Sequence, residues 1–241
     1  MQLVKTKRLE GSLVCLLVLV IAGPFWLYHI VSPKLVALTF DDGPYGKATS
    51  QILDILKKER VQATFFLLGM NVEKYPAIAK RIVNEGHVIG NHSYSHSEFL
   101  SKMPAVDFEA DVRHAENLIV DATGLHPRYF RPPFGMHTPS MDQQLKDMGY
   151  FVVLWNVGTG TTAGDYDQGT SSEAIVEQII RNTLKGKKRQ QIILLHGGGD
   201  VQIGYSQQNV IQALPRVIDK LKERGYRFVT VEQIIHQSPY H

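Results

Sequence analysis

Cysteine is almost absent: Cys15 is the single one in 241 residues. No intramolecular disulfide can form and no thiolate cluster can hold a metal. That is compatible with the cytosol and equally with an extracellular bacterial protein that never used disulfides. An excess of one charge is missing as well. Lys and Arg number 26 against 23 Asp and Glu, a net of +3, of which Lys5, Lys7 and Arg8 against Glu10 supply +2. The remainder is near neutral, which gives no electrostatic case for nucleic acid or for a strongly acidic partner. Internal repeats and low-complexity tracts are lacking too, so a solenoid or a disordered chain is excluded.

A local absence says more. From Gly11 to Val31 there is no Asp, Glu, Lys or Arg, and about 20 such residues span a bilayer. The basic residues ahead of this run predict an inside N-terminus and an outside domain, with Trp26 and Tyr28 at the outer interface. A cleaved signal peptide is the rival reading, but no convincing small-residue cleavage site precedes the domain. Residues 1–32 therefore read as a cytoplasmic tip and single-pass membrane anchor, and residues 33–241 as one domain facing outward.

What is present in that domain is an alternation of short β-rich runs and amphipathic stretches. Strands are expected at Leu35–Phe40, Ala63–Leu68, His87–Gly90, Tyr129–Phe130, Tyr150–Trp155, Gln191–Leu195 and Arg227–Val231. Helices are expected at Ala48–Arg60, Glu73–Glu85, Pro104–Thr123 (closed by Gly124), Ser140–Met148, Ser172–Leu184 and Gln207–Arg224. About seven βα units predict an α/β fold with a parallel sheet closed as a distorted (β/α) barrel. In such folds chemistry collects at the C-terminal ends of the strands. Five expected strand ends carry suitable residue types: Asp41-Asp42, Asn91-His92, Arg131, Trp155-Asn156 and His196.

His92 and His96 stand four apart. On a helix or tight turn both imidazoles can share a divalent metal, although a surface histidine pair has the same spacing. Asp41 or Asp42 is the natural third ligand, and two His with one carboxylate leave a position open for water. The Asp-Asp-Gly-Pro run could equally be a capped turn. Adjacent carboxylates after a buried strand can instead divide the work, one binding metal and the other taking a proton. His196, followed by Gly197-Gly198-Gly199, suits a general acid at an open rim. Arg131-Pro132-Pro133-Phe134-Gly135 is either a stiff loop or a device that orients a carboxylate and offers the Phe134 and Gly135 N–H groups to an oxyanion.

With these residues in place the chain resembles the polysaccharide deacetylases of the NodB-homology type (carbohydrate esterase family 4). The resemblance runs from about Lys34 to Ile235, with motifs at Thr39–Pro44, His92–His96, Arg131–Gly135 and Leu194–His196 in family order. It implies an enzyme that removes N-acetyl groups from a cell-wall polysaccharide such as peptidoglycan or a chitin-like glycan, with its catalytic domain outside the membrane. By resemblance Asp41 is the base, Arg131 positions it, and His196 is the acid. Asp42, His92 and His96 hold a divalent metal, usually Zn2+, with Co2+, Ni2+ or Mn2+ able to serve. Phe134 contributes an oxyanion N–H, and Leu194 lines the acetyl-methyl pocket. The family's Asp-Trp after the fifth strand is missing from the expected place. Asp165-Tyr166 is the substitute, with Asp167 or Asn156 as alternatives for pairing with His196. A silent glycan-binding module and an O-acetyl esterase are the competing functions.

Overall fold

The computed structural model describes residues 33–159, 170–186, 188–197 and 207–241. Among them lie strands β1 (Lys34–Asp41), β2 (Thr64–Leu67), β3 (Val88–Asn91), β4 (Tyr129–Phe130), β5 (Phe151–Val152), β6 (Gln190–His196) and β7 (Tyr226–Phe228). The helices are α1 (Gly46–Glu59), α2 (Gly69–Lys74), α3 (Pro76–Asn84), α4 (Ala105–Thr123), α5 (Pro139–Asp147), α6 (Ser172–Lys185), α7 (Gln208–Glu223) and α8 (Glu232–Ile235). No helix among the described residues is long and apolar enough to cross a membrane, and the segment 11–31 lies outside them.

Every ladder is parallel, in the order β5-β4-β3-β2-β1-β6. β6 follows one edge of β1 from Leu35 to Asp41. The other edge is shared, with β7 beside Lys34–Val36 and β2 beside Thr39 and Phe40. The sheet then curls shut. Val157, beyond β5, forms a parallel bridge with Ile193 of β6, reinforced by Leu194 N–H donating to Val157 O at 2.9 Å. The result is an α/β half-barrel of parallel strands, consistent with the expected distorted barrel.

Strand alternation sorts the residues into two sets. Val36, Leu38 and Phe40 of β1, with Ile193 and Leu195 of β6, face outward into a large core with α1, α6 and α7. Ala37, Phe66, Val88, Tyr129, Val153 and Val231 face inward and fill the barrel, with Ile192 packed against them. Gly90 belongs to this inner set. A Cβ there would sit 2.7 Å from the Phe66 ring, so the glycine makes room for that ring. Helix ends follow ordinary capping rules: Ser171 and Thr138 side chains accept from Ala174 and Met141 N–H, and Gly124 closes α4 in the left-handed conformation.

Three expected elements differ. The helix expected over residues 73–85 is two helices, because the chain breaks at Tyr75 and restarts on Pro76 at a first-turn position. The fifth strand pairs only at Phe151–Val152, since the chain beyond swings across to β6. The last strand stops at Phe228, and Val231 N–H goes to the Thr64 hydroxyl at 3.2 Å.

Candidate active site

The inward set continues past the barrel core into the site. On β1 the inward positions after Ala37 are Thr39 and Asp41, and β6 places His196 directly beside Asp41. On β4 the next inward position after Tyr129 is Arg131, whose backbone N–H is held by Asn91 O at 3.0 Å. Arg131 is fully buried. Its Nη1 donates to Asp41 Oδ1 at 2.8 Å and to Thr39 Oγ1 at 2.7 Å, and its Nε donates to Val153 O at 3.0 Å. The guanidinium lies 4.0 Å from the Phe66 ring centroid and 5.6 Å from that of Trp155. The Thr39 hydroxyl in turn donates to Ile193 O at 2.7 Å. Burial pulls the Arg131 guanidinium below its ordinary value while Asp41 pulls it back up; a guanidinium stays charged under both influences. Asp41 is thus a buried carboxylate fixed by a buried cation.

Simple alternation would send Asp42 to the opposite face from Asp41. It does not go there, because Asp42 leaves the strand with φ 68°, a conformation Asp tolerates better than most residues. Its carboxylate meets the imidazoles, with Oδ1 3.3 Å from His92 Nε2 and 3.2 Å from His96 Nε2. The ligand-type atoms of Asp42, His92 and His96 all lie within 4.8 Å of one another.

His92 Nδ1 is 2.7 Å from Arg131 O. A carbonyl can only accept, so Nδ1 donates to it and the ring is held with Nε2 facing Asp42. This is the orientation a metal-binding histidine needs. Asp42 Oδ1 is buried without a hydrogen-bond partner, and an orphaned acceptor facing imidazole nitrogens fits a divalent cation. Burial pushes the Asp42 carboxyl up, but His92, His96 and nearby His196 outweigh it and hold it well below the usual carboxylate range. Burial lowers His96 and Asp42 overrides it, so His96 ends above its ordinary value.

The histidine segment is a tight turn. Ser93 and His96 have φ of 70° and 51°, and Ser93 Oγ accepts from His96 N–H at 3.1 Å. Asn91 Oδ1 takes Ser93 N–H at 2.8 Å. Asp111, from α4, takes the N–H groups of Tyr94 and Ser95 at 2.8 and 3.2 Å. Sequence reasoning missed Asp111 and gave Asn91 and Thr39 no role beyond their place at a strand end and in a motif, because each acts through the backbone or another side chain. A helical acid aimed at a loop about 17 residues back is the only signal, and it is a weak one.

Strain gathers here. Among the described residues six non-glycines have positive φ; Arg60 and His236 close helices, and the other four are Asp42, Ser93, His96 and Phe134. Each costs on the order of 1–3 kcal/mol and persists only where the surroundings enforce it. Phe134 packs on His96 with ring centroids 4.7 Å apart. Gly135, at φ 66°, lies where a Cβ would come within 2.9 Å of Trp155.

Of the residues named from sequence, Asp41, Asp42, His92, His96, Arg131 and His196 converge at this rim, with Phe134 beside them. Leu194 is the inward residue two before His196 and is buried. Asn156 does not join them: its side chain accepts from Ile192 N–H at 2.8 Å and donates to Gln190 O at 3.3 Å. It therefore serves the barrel closure. Asp165, Tyr166 and Asp167, with Gly198 and Gly199, lie outside the described residues.

A family model described as polysaccharide deacetylase matches residues 29–153, just over half of the chain. The chain belongs to the polysaccharide deacetylase family. Within this family it is 39% identical over 208 residues to a peptidoglycan-N-acetylglucosamine deacetylase of Bacillus cereus, covering 84% of this chain and 69% of that one. It superposes on the Bc1960 peptidoglycan N-acetylglucosamine deacetylase with a TM-score of 0.78 at 37% identity, over 87% of this chain and 92% of the other. It also superposes on BA3943 of Bacillus anthracis, a family pseudoenzyme, with a TM-score of 0.72 at 26% identity, over 85% and 66% of the chains. Membership in the polysaccharide deacetylases therefore brings the fold, and activity has to be argued from the site's own residues.

Proposed function

We propose that this protein is a metal-dependent N-deacetylase of cell-wall peptidoglycan, acting on N-acetylated amino sugars outside the membrane. One observation carries the reading: the two neighbouring carboxylates have separate surroundings. Asp41 is tied to Arg131 at 2.8 Å, whereas Asp42 Oδ1 faces two histidines and no hydrogen-bond donor of its own. A binding module has no use for that division. The relatives' names point to peptidoglycan, and the apolar run before residue 33 supports an anchor that holds the domain on the outer side.

Asp42, His92 and His96 are the residues that would hold the metal, Zn2+ being the expected ion for two imidazoles and one carboxylate. When bound, such an ion supplies Lewis acidity towards the acetamide carbonyl and acidifies water. Asp41 takes a proton from the attacking water, and Arg131 keeps that carboxylate aimed. The Phe134 N–H, presented by its left-handed backbone, donates to the developing oxyanion. His196 gives a proton to the sugar nitrogen as the C–N bond breaks. Acetate leaves and a free amine stays on the glycan, with the acetyl methyl lodged against Leu194.

The test is acetate release by the full chain from peptidoglycan and from chitin oligomers, with and without added Zn2+. Metal-dependent release from an N-acetylated glycan is the expected outcome. No release from either with metal bound would sink the reading, and release from O-acetylated glycans alone would transfer the site to ester substrates.

A further inference from the structure

The near-neutral net charge conceals a strong segregation. Lys34 and the stretches 57–60, 185–189 and 219–227 together contain twelve Lys and Arg against three Asp and Glu, whereas the rest of residues 34–241 has eleven against nineteen. These stretches are the starts of β1 and β7 and the turns leading into β2 and β6, all at the N-terminal end of the barrel and opposite Asp41. Hydrogen bonds join them into one face. Lys34 Nζ donates to Arg224 O at 3.2 Å, Leu35 N–H donates to Arg189 O at 2.7 Å, and Lys222 Nζ reaches Glu59 Oε2 at 3.0 Å. Lys34, Lys57, Lys58, Arg60, Lys185, Lys188, Arg189, Lys222 and Arg227 are exposed. Beside them Leu184 is 50% exposed, an apolar side chain at the margin of a cationic face.

Lys34 is also where the domain is joined to the uncharged run Gly11–Val31, with only Ser32 and Pro33 between. Three peptide steps reach at most about 11 Å, close to the Debye length of about 8–10 Å at physiological salt. An anionic bilayer surface at Val31 would therefore still be felt at Lys34, at about a third of its strength with the connection fully extended and more strongly as the face approaches. A soluble wall polyanion would be under no such constraint.

We propose that this basic face docks on anionic phospholipid headgroups, so that the deacetylase site is held pointing away from the membrane towards the wall. The inference rests on the anchored reading of residues 11–31. The acidic remainder of the domain adds to the orientation, because the same surface repels it.

The experiment uses the full chain with Cys15→Ser and one labelled cysteine, either Gln62→Cys on the basic face or Ser140→Cys at the opposite end. The chain is inserted in phosphatidylcholine vesicles with or without phosphatidylglycerol, carrying headgroup-linked quencher. Quenching at position 62 that requires phosphatidylglycerol, fades in high salt and is absent at position 140 is expected. Each cation near such a surface is worth about five-fold, so Lys185→Gln, Lys188→Gln and Arg189→Gln together should reduce the ratio of docked to undocked chains by roughly 100-fold. Equal quenching at both positions, or quenching that the triple variant leaves intact, would overturn the proposal. So would charge-dependent binding of inorganic polyphosphate without any lipid-dependent quenching. Failure of the anchored reading looks different: the chain would not float with phosphatidylcholine vesicles in high salt.

Discussion

Replacing Arg131 by Met tests the buried centre of this domain most directly. The methionine fills much of the guanidinium's volume against Phe66 and Trp155, but it removes the donors that now reach Asp41, Thr39 and Val153. Asp41 is only 3% exposed, so water cannot replace the lost cation without opening the barrel. Breaking a buried pair from one side costs about 3–5 kcal/mol. For a domain of this size each kcal/mol lowers Tm by about 2–4 °C, which gives a fall of about 6–20 °C. Asp41→Asn should cost less, because the amide oxygen still accepts from Nη1 and no charge is stranded without hydrogen bonds. The double variant strands neither charge, so its loss should fall short of the sum of the single losses by about 1–3 kcal/mol. Thermal and denaturant unfolding of the four proteins measures this directly. A destabilisation of Arg131→Met below about 1 kcal/mol, or strict additivity in the cycle, would refute the claim that the Arg131–Asp41 pair organises the rim.

Four other outcomes are expected. Asp41→Asn should abolish acetate release while leaving metal affinity largely intact, whereas Asp42→Asn should lose metal and acetate release together; competition with a chromogenic chelator separates them. Asp111→Ala should weaken metal affinity by about 10–100-fold, the usual cost of losing a group that supports a ligand loop, with Asp111→Asn recovering part of it. Burial pushes the His87 imidazole down to about 4 from an ordinary 6.5, and its Nδ1 accepts the Ala63 N–H at 3.1 Å. The folded state therefore keeps His87 neutral while the unfolded chain protonates, so this contribution is complete above pH 6.5 and about 3 kcal/mol of it is lost as pH falls to 4. Unfolding of His87→Gln across that range should show a flatter pH dependence, and an unchanged slope would contradict the burial argument. Removing metal with a chelator should lower Tm, with restoration by Zn2+ added in excess of its Kd.

Much of this was legible in the chain before folding. Apolar strands ending in Asp41, His92, Arg131 and His196 gave away both the barrel and its active end, because alternation and strand-end position are local properties. The division between Asp41 and Asp42 was readable only as an alternative, since it depends on one left-handed backbone angle. Tyr75-Pro76 hid a helix break because the apolar spacing continues across it. Asn156 looked like a site residue by position, yet its amide completes the ladder of β6, a partner 34–36 residues ahead. The segregated charge escaped a summed net charge altogether, because the cationic stretches meet only once β1, β6 and β7 lie side by side.

That use of Asn156 has a consequence for how such a domain can diversify. The barrel is sewn shut at one point, by Val157 against Ile193 and an amide side chain standing in for missing backbone. The chain between Gly158 and Thr170 begins immediately after that stitch, and α6 takes over at Ser172. The register of β1 and β6, and with it the seats of Asp41 and His196, is thus set by contacts outside that stretch, and its sequence can vary while the ladder stays in place.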